Sequence, residues 1–320
     1  MPNIMLTSRC NLKCDYCFAR DMFTHVTPAI PVETFEKITK FIVNGGEKYI
    51  GLIGGEPLLH PQFDEIVATA LQYTDPDHVT LFTNGILIDK HIDVLKKSMI
   101  RVMINCNGES ILGDQRQRFW DNIALCAKEL CWNKVITPSY NLYKPDQDFS
   151  EFLKLVDEYP VVSIRVAIAS PETSQRSTMP TDYFNVMRDV AIKFFSEINR
   201  RKIRIVMDCN IIPNCMQEDI IRNVSHPFVS KLPKSVCRPV LDFCIDETVI
   251  RCFGLSDIRI DMNRFSSLAQ LYGYFTNMCD SIAYSCPSEL KCKECFERMC
   301  MGCMNGCLSF NARRATLLEH

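Results

Sequence analysis

The chain has 320 residues, 47% of them hydrophobic and 23% charged, with a formal net charge of −2. That composition builds a full core in water and leaves no broad basic field to grip a nucleic-acid backbone or an anionic membrane. No apolar run reaches the roughly 18 residues that span a bilayer, and Met1-Pro2-Asn3 opens no signal-peptide pattern, so a cytoplasmic protein is expected. In chain order, short β-branched or apolar runs predict strands at 4–7, 49–53, 79–83, 102–105, 135–139, 163–169 and 203–208. Helix-period stretches fall between them at 32–43, 62–72, 89–97, 119–131, 149–157 and 183–198. Thr181-Asp182 caps the last of these.

Repeated strand–helix units imply a parallel sheet with right-handed crossovers. The expected class is α/β, a partial (β/α)6 barrel over residues 1–224 whose chemistry sits on loops at the carboxyl ends of the strands. Past Val224, Pro227, Pro233 and Pro239 interrupt the chain, helix periodicity fades and cysteines crowd together. Residues 225–311 therefore read as a small second domain stapled by metal, and 312–320 as a tail ending in the tag remnant Leu318-Glu319-His320.

Of 18 cysteines, ten lie at or after Cys237. Without an export signal such crowding argues for metal rather than disulfides. Cys10, Cys14 and Cys17 follow the first strand as C-x3-C-x2-C. Three thiolates from one loop hold three irons of a cubic cluster and leave the fourth open to chelate a small ligand. Zinc is the competing reading, although its sites usually take four protein ligands. The second strand ends in Gly54-Gly55-Glu56-Pro57, where glycines expose backbone carbonyls beside a carboxylate, a setting that suits an ammonium group. An ordinary strand-to-helix turn would use the same residues. Thr83-Asn84-Gly85 and Asn105-Cys106-Asn107-Gly108 are Asn-Gly turns at the next two strand ends.

The triad, with Tyr16 before its last cysteine and the GGEP turn after strand two, resembles the radical S-adenosylmethionine superfamily. The phrase Cys10-Asn11-Leu12-Lys13-Cys14-Asp15-Tyr16-Cys17 is similar to the branch that modifies peptides and proteins. The resemblance implies a [4Fe-4S] cluster on Cys10, Cys14 and Cys17, and S-adenosyl-L-methionine as cofactor. Tyr16 would lie by the adenine, and Gly54, Gly55 and Glu56 would receive the methionine ammonium. Asn84 joins the cofactor-binding set, Asn105 takes the place of a serine at the ribose, and Arg165 approaches the methionine carboxylate or forms a structural ion pair.

Cys292-x2-Cys295-x4-Cys300-x2-Cys303-x3-Cys307 resembles the terminal run of the SPASM extension, which carries auxiliary four-iron clusters. Cys237, Cys244 and Cys252 bracket a hairpin-like stretch at 242–251, as that extension's first auxiliary site would, although its usual glycine is replaced around Glu247-Thr248. One or two auxiliary clusters are implied, with two favoured: Cys237, Cys244, Cys252 and Cys307 for one, Cys292, Cys295, Cys300 and Cys303 for the other. A zinc site in the C-x2-C run is the alternative. Cys126 and Cys131 read as core residues, and Cys106 as a residue that faces the mouth. Cys209, Cys215 and Asp208 follow the seventh strand; a thiol there is a hydrogen-atom donor, or the carboxylate a general base, unless all three are structural.

The implied activity is reductive cleavage of S-adenosylmethionine to a 5′-deoxyadenosyl radical that takes a hydrogen from the substrate, most simply a ribosomally made precursor peptide. Cross-linking, thioether formation, epimerisation and dehydrogenation are the reactions in view. Oxidation of a small-molecule alcohol is the runner-up, and an iron–sulfur electron carrier is the alternative from another class. A flavodoxin or ferredoxin-type donor would supply electrons; the basic residues Arg200, Arg201, Lys202 and Arg204 form a solvated face that complements the helix dipole, or else offer such an acidic protein a docking face. With nine residues before the triad, recognition of a peptide is expected to fall to a separate leader-binding protein or to the barrel itself.

Overall fold

A computed structural model describes residues 1–17, 19–20, 28–169, 180–208, 212–217, 237, 240–285, 290–300, 303 and 306–309. Cys209, the expected boundary at 224/225 and the tail at 312–320 lie outside the described residues. In chain order the strands are β1 Asn3–Met5, β2 Ile50–Ile53, β3 Val79–Thr83, β4 Arg101–Asn105, β5 Ile136–Leu142, β6 Ser163–Ile168, β7 Arg204–Met207, β8 Asp242–Phe243, β9 Thr248–Ile250 and β10 Arg259–Asp261. The helices are α1 Val32–Asn44, α2 Phe63–Ala70, α3 Ile88–Ser98, α4 Glu109–Leu112, α5 Arg116–Glu129, α6 Trp132–Val135, α7 Ser150–Glu158, α8 Pro180–Arg200, α9 Leu268–Ser285 and α10 Phe296–Met299. All seven strands expected before residue 210 are present, and the class is α/β with a parallel sheet, as expected.

The chain divides into two compact units. The first comprises Met1–Ser139, Leu155–Val161 and Val240–Gly273. Within it β1 to β5 pair in parallel, in sequence order. Helix α1 shows why the pattern reads clearly: Phe35, Ile38 and Ile42 recur at helical spacing and are buried. Ile4 on β1, Leu52 on β2, Leu81 on β3 and Ile104 on β4 are buried. The expected hairpin exists as β8 and β9, and it continues this same sheet: β8 pairs in parallel with β1, and β10 closes antiparallel on β9. Glu247 turns the hairpin with φ 62°, the left-handed conformation a glycine would adopt more readily. Its carboxylate accepts from Lys37 and from Asn263 Nδ2 (2.9 Å), which ties the turn down.

The second unit comprises Tyr140–Lys154, Val162–Pro239 and Tyr274–His320. Strands β6 and β7 pair in parallel there. An aromatic group fills its core: Tyr140 stacks on Phe152 and Phe194, whose ring centroids lie 4.6 and 5.3 Å away.

Two expectations need correction. Helix α9 runs for 18 residues where helical character is expected to fade. Its buried Leu271, Phe275 and Cys279 stand four apart, a signal that the nearby prolines and cysteines obscure. Cys131 is exposed rather than in the core, because α5 stops at Glu129 and Cys131 falls on the short link to α6. Cys126 is buried as expected, and Cys106 is buried beside it.

Candidate functional site

The loop after β1 and the turn after β2 are zipped together by backbone. Gly55 N donates to Thr7 O and Glu56 N to Arg9 O, both at 2.8 Å. A Cβ on Gly54 would lie 2.5 Å from Thr7 O, and one on Gly55 would lie 2.2 Å from Arg9 O and 3.0 Å from Cys10 Cβ. Glycine is therefore required by the approach of the cysteine loop itself.

Cys10, Cys14 and Cys17 share that loop. Leu12 N donates to Cys10 Sγ at 3.5 Å, and Cys17 N to Cys14 O at 3.1 Å. Burial pushes the Cys10 thiol up to about 11; burial, then the charges of Cys10 and Cys17, push Cys14 up to about 12. Thiolates that raise one another in this way are a site for positive charge, and metal binding would expel their protons. They do not converge as the ligands of one ion do: among the described residues only Asp75, Asp77 and His78 form such a group. The donor set fits a multi-iron cluster better than zinc.

Glu56 is fully buried. Its Oε1 accepts from Leu58 N (3.1 Å) and Thr83 Oγ1 (2.8 Å), and its Oε2 from Asn84 N (2.7 Å). The carboxylate thus ties the turn after β2 to the end of β3, a structural task that the GGEP pattern does not reveal. Oε2, with one donor, keeps an acceptor position for an ammonium. Burial raises Glu56 to about 7 despite these bonds, and burial likewise raises Asp242 to about 7, partly offset by Asn3 and Arg251. Both groups hold a proton in the folded chain at pH values where the unfolded chain has released it. Stability from these two carboxyls is therefore highest below about pH 4 and falls as pH rises toward 7. Melting temperatures measured from pH 4.5 to 7 should decline, and the decline should be shallower in Glu56→Gln and Asp242→Asn; equal slopes in all three proteins would contradict the assignment.

Tyr16 is anchored to the end of β4: its hydroxyl accepts from Asn105 Nδ2 at 2.7 Å and donates to Asn107 Oδ1. Asn84 Nδ2 donates to Asn11 Oδ1 at 2.7 Å. Tyr16, Glu56, Asn84 and Asn105 thus join the carboxyl ends of β2, β3 and β4 to the cysteine loop. Asn11, Thr83 and Asn107 complete the network, and the Asn-Gly turns alone did not single out their side chains. Arg165, Asp208 and Cys215 belong to the second unit. Arg165 forms an ion pair with Asp208, so the carboxylate expected as a base is engaged by a guanidinium, and Cys215 is exposed.

The auxiliary cysteines fall in both units. Cys244 is buried against Ala19, Ile250 and Phe253, and Cys17 packs on the same cluster. Cys252 Sγ accepts from Nη1 of the buried Arg251 at 3.3 Å. In the second unit Cys237, Cys292, Cys295 and Cys303 are half-buried, Cys300 is exposed, and Cys307 is buried beside Ser309 Oγ at 3.0 Å.

Residues 4–111 match the Radical SAM superfamily. A GTP 3′,8-cyclase of Chlorobaculum tepidum is 40% identical over 92 residues, 29% of this chain and 28% of that protein. A GTP 3′,8-cyclase of Acidothermus cellulolyticus is 34% identical over 104 residues, 31% of this chain and 29% of its own length. The chain thus spans less than a third of either relative. Among solved structures, native anSMEcpe with bound AdoMet aligns with a TM-score of 0.64 at 18% identity, covering 96% of this chain and 89% of that one. Streptococcus suis SuiB bound to S-adenosylmethionine aligns with a TM-score of 0.60 at 17% identity, covering 92% and 70%. SuiB bound to its precursor peptide SuiA aligns at 0.57 and 15%, covering 84% and 63%. At these identities the likeness is one of fold. The cysteine triad, the glycine turn zipped to it and the strands β2 to β4 with the helices between them fall in the segment that matches the Radical SAM superfamily.

Proposed function

We propose that the protein is a radical S-adenosylmethionine enzyme of the cytoplasm that cleaves its cofactor reductively. The observation that carries this reading is the backbone zipper between the three-thiol loop and Gly54-Gly55-Glu56, which would hold a cluster and an ammonium group side by side. Cys10, Cys14 and Cys17 would hold the [4Fe-4S] cluster. When bound, that group supplies one electron to the sulfonium, releasing methionine and leaving 5′-deoxyadenosine once a hydrogen has been taken from the substrate. The backbone of Gly54 and Gly55, with Glu56 Oε2, would take the ammonium. Tyr16, fixed by Asn105 and Asn107, would flank the adenine, and Asn105 would reach the ribose. The auxiliary cysteines would hold one or two further clusters in a SPASM-like region, two on the thiol count. A flavodoxin or ferredoxin-type protein would deliver the electrons.

For the substrate we favour a ribosomally made peptide, brought by the barrel or by a separate leader-binding protein. The support is that peptide-bound anSMEcpe and SuiB share the fold over most of this chain. A small-molecule reaction is the second reading, and the 40% identity to a GTP 3′,8-cyclase favours it. Turnover assays distinguish them. A short peptide encoded beside the gene should raise 5′-deoxyadenosine release several-fold and change in mass, whereas GTP should have no effect; stimulation by GTP alone would overturn the peptide assignment.

A further inference from the structure

Hydrogen-bond polarity runs in one direction from β3 into the cysteine loop. Ile86 N can only donate, and it donates to Asn84 Oδ1 at 3.1 Å. That fixes the Asn84 amide, whose Nδ2 must point the other way and donates to Asn11 Oδ1 at 2.7 Å. Asn11 is fixed in turn: its oxygen is spent on Asn84, and its Nδ2 is the end left over. This nitrogen is fully buried and has no acceptor among the described residues. A buried donor left unmade is costly, so it awaits an acceptor beyond the described residues. Asn11 lies between Cys10 and Cys14, in the loop whose thiols are the candidate cluster ligands.

We propose that the Asn11 side-chain amide donates a hydrogen bond to a sulfur of the iron–sulfur cluster held by Cys10, Cys14 and Cys17, with Asn84 as the positioning residue that aims it. The inference rests on the cluster reading of the three thiols. Donors to cluster sulfur stabilise the more negative, reduced state, so Asn11 raises the reduction potential of this cluster. It also gives the turn after β3 a hold on the cluster loop, because Asn84 N is bound by Glu56 while the Asn84 side chain holds Asn11.

The test is a redox titration of the reconstituted full chain, followed by electron paramagnetic resonance without S-adenosylmethionine. Asn11→Ala should keep its iron, and the midpoint of the cluster at Cys10, Cys14 and Cys17 should move to a more negative value. Asn84→Ala should move it the same way by less. Asn11→Leu is close in size and brings neither donor nor charge, so it should reproduce the negative shift even if the alanine variant folds poorly. An unchanged midpoint in a fully loaded Asn11 variant would overturn the proposal. So would an unchanged midpoint with S-adenosylmethionine affinity weakened more than tenfold, which would assign the donor to that ligand instead. Loss of the cluster from both Asn11 variants would contradict a tuning role as well. A wild-type protein with no cluster on these thiols would instead defeat the reading on which the proposal rests.

Discussion

In Cys14→Ala the iron content should fall by about four atoms per chain, and release of 5′-deoxyadenosine should drop below detection. Cys14 is the middle thiol of the loop, and its elevation to about 12 by burial and by Cys10 and Cys17 shows how closely the three share one electrostatic environment. Removing one of three protein ligands opens the cluster to solvent and dismantles it. The proposed auxiliary clusters would draw on other cysteines, so brown colour and part of the iron should persist. The global fold should also survive, because the zipper at Thr7, Arg9, Gly55 and Glu56 uses backbone alone. Full iron content together with normal cleavage would remove the triad from the chemistry.

Glu56→Ala should cost stability and cofactor affinity together. Truncation strands Leu58 N, Thr83 Oγ1 and Asn84 N in a buried site, at about 1–3 kcal/mol for each donor that finds no substitute. A fall in melting temperature of several degrees is expected, since 1 kcal/mol moves a domain of this size by roughly 2–4 °C. S-adenosylmethionine affinity should weaken at least tenfold, through the lost carboxylate and through the slackened turn. The pH dependence separates the two effects. With Glu56 at about 7 in the free protein, a cationic ammonium must displace its proton below that value. Wild-type affinity should therefore rise with pH from 6 to 8, and Glu56→Gln, which keeps most of the packing, should show a weaker rise. Equilibrium binding across that range checks the point. Parallel pH profiles in the two proteins would leave Glu56 a structural tie with no ligand contact.

Much of this architecture is legible in the sequence because a parallel sheet writes each strand as a short apolar run between glycine, asparagine or charge. Strand β3 was expected at its observed bounds, and α1 differs by one residue. The cysteine triad and the glycine turn are legible for a related reason: ligand spacing and close backbone approach each demand particular residue types at fixed positions. What escaped is what depends on three dimensions. Nothing local shows that the segment from Val240 returns to pair with β1, because such pairing is set by register across more than 200 residues. The burial of Glu56 and its three donors come from two strand ends meeting, and the same holds for Tyr16 with Asn105 and Asn107. Arg165 and Asp208 illustrate the opposite case: a structural role was one of two readings for each, and adjacent parallel strands bring them together as an ion pair.

The central claim is that a reduced cluster on the β1 loop cleaves S-adenosylmethionine bound at the adjacent glycine turn. Anaerobically reconstituted protein, reduced with dithionite and given S-adenosylmethionine, should release 5′-deoxyadenosine and methionine in a measurable time course, detected by mass spectrometry. The product should be absent without reductant and absent from Cys14→Ala. Fully loaded, reduced protein that binds S-adenosylmethionine yet yields no 5′-deoxyadenosine, with or without peptide, would contradict the account and favour an iron–sulfur carrier.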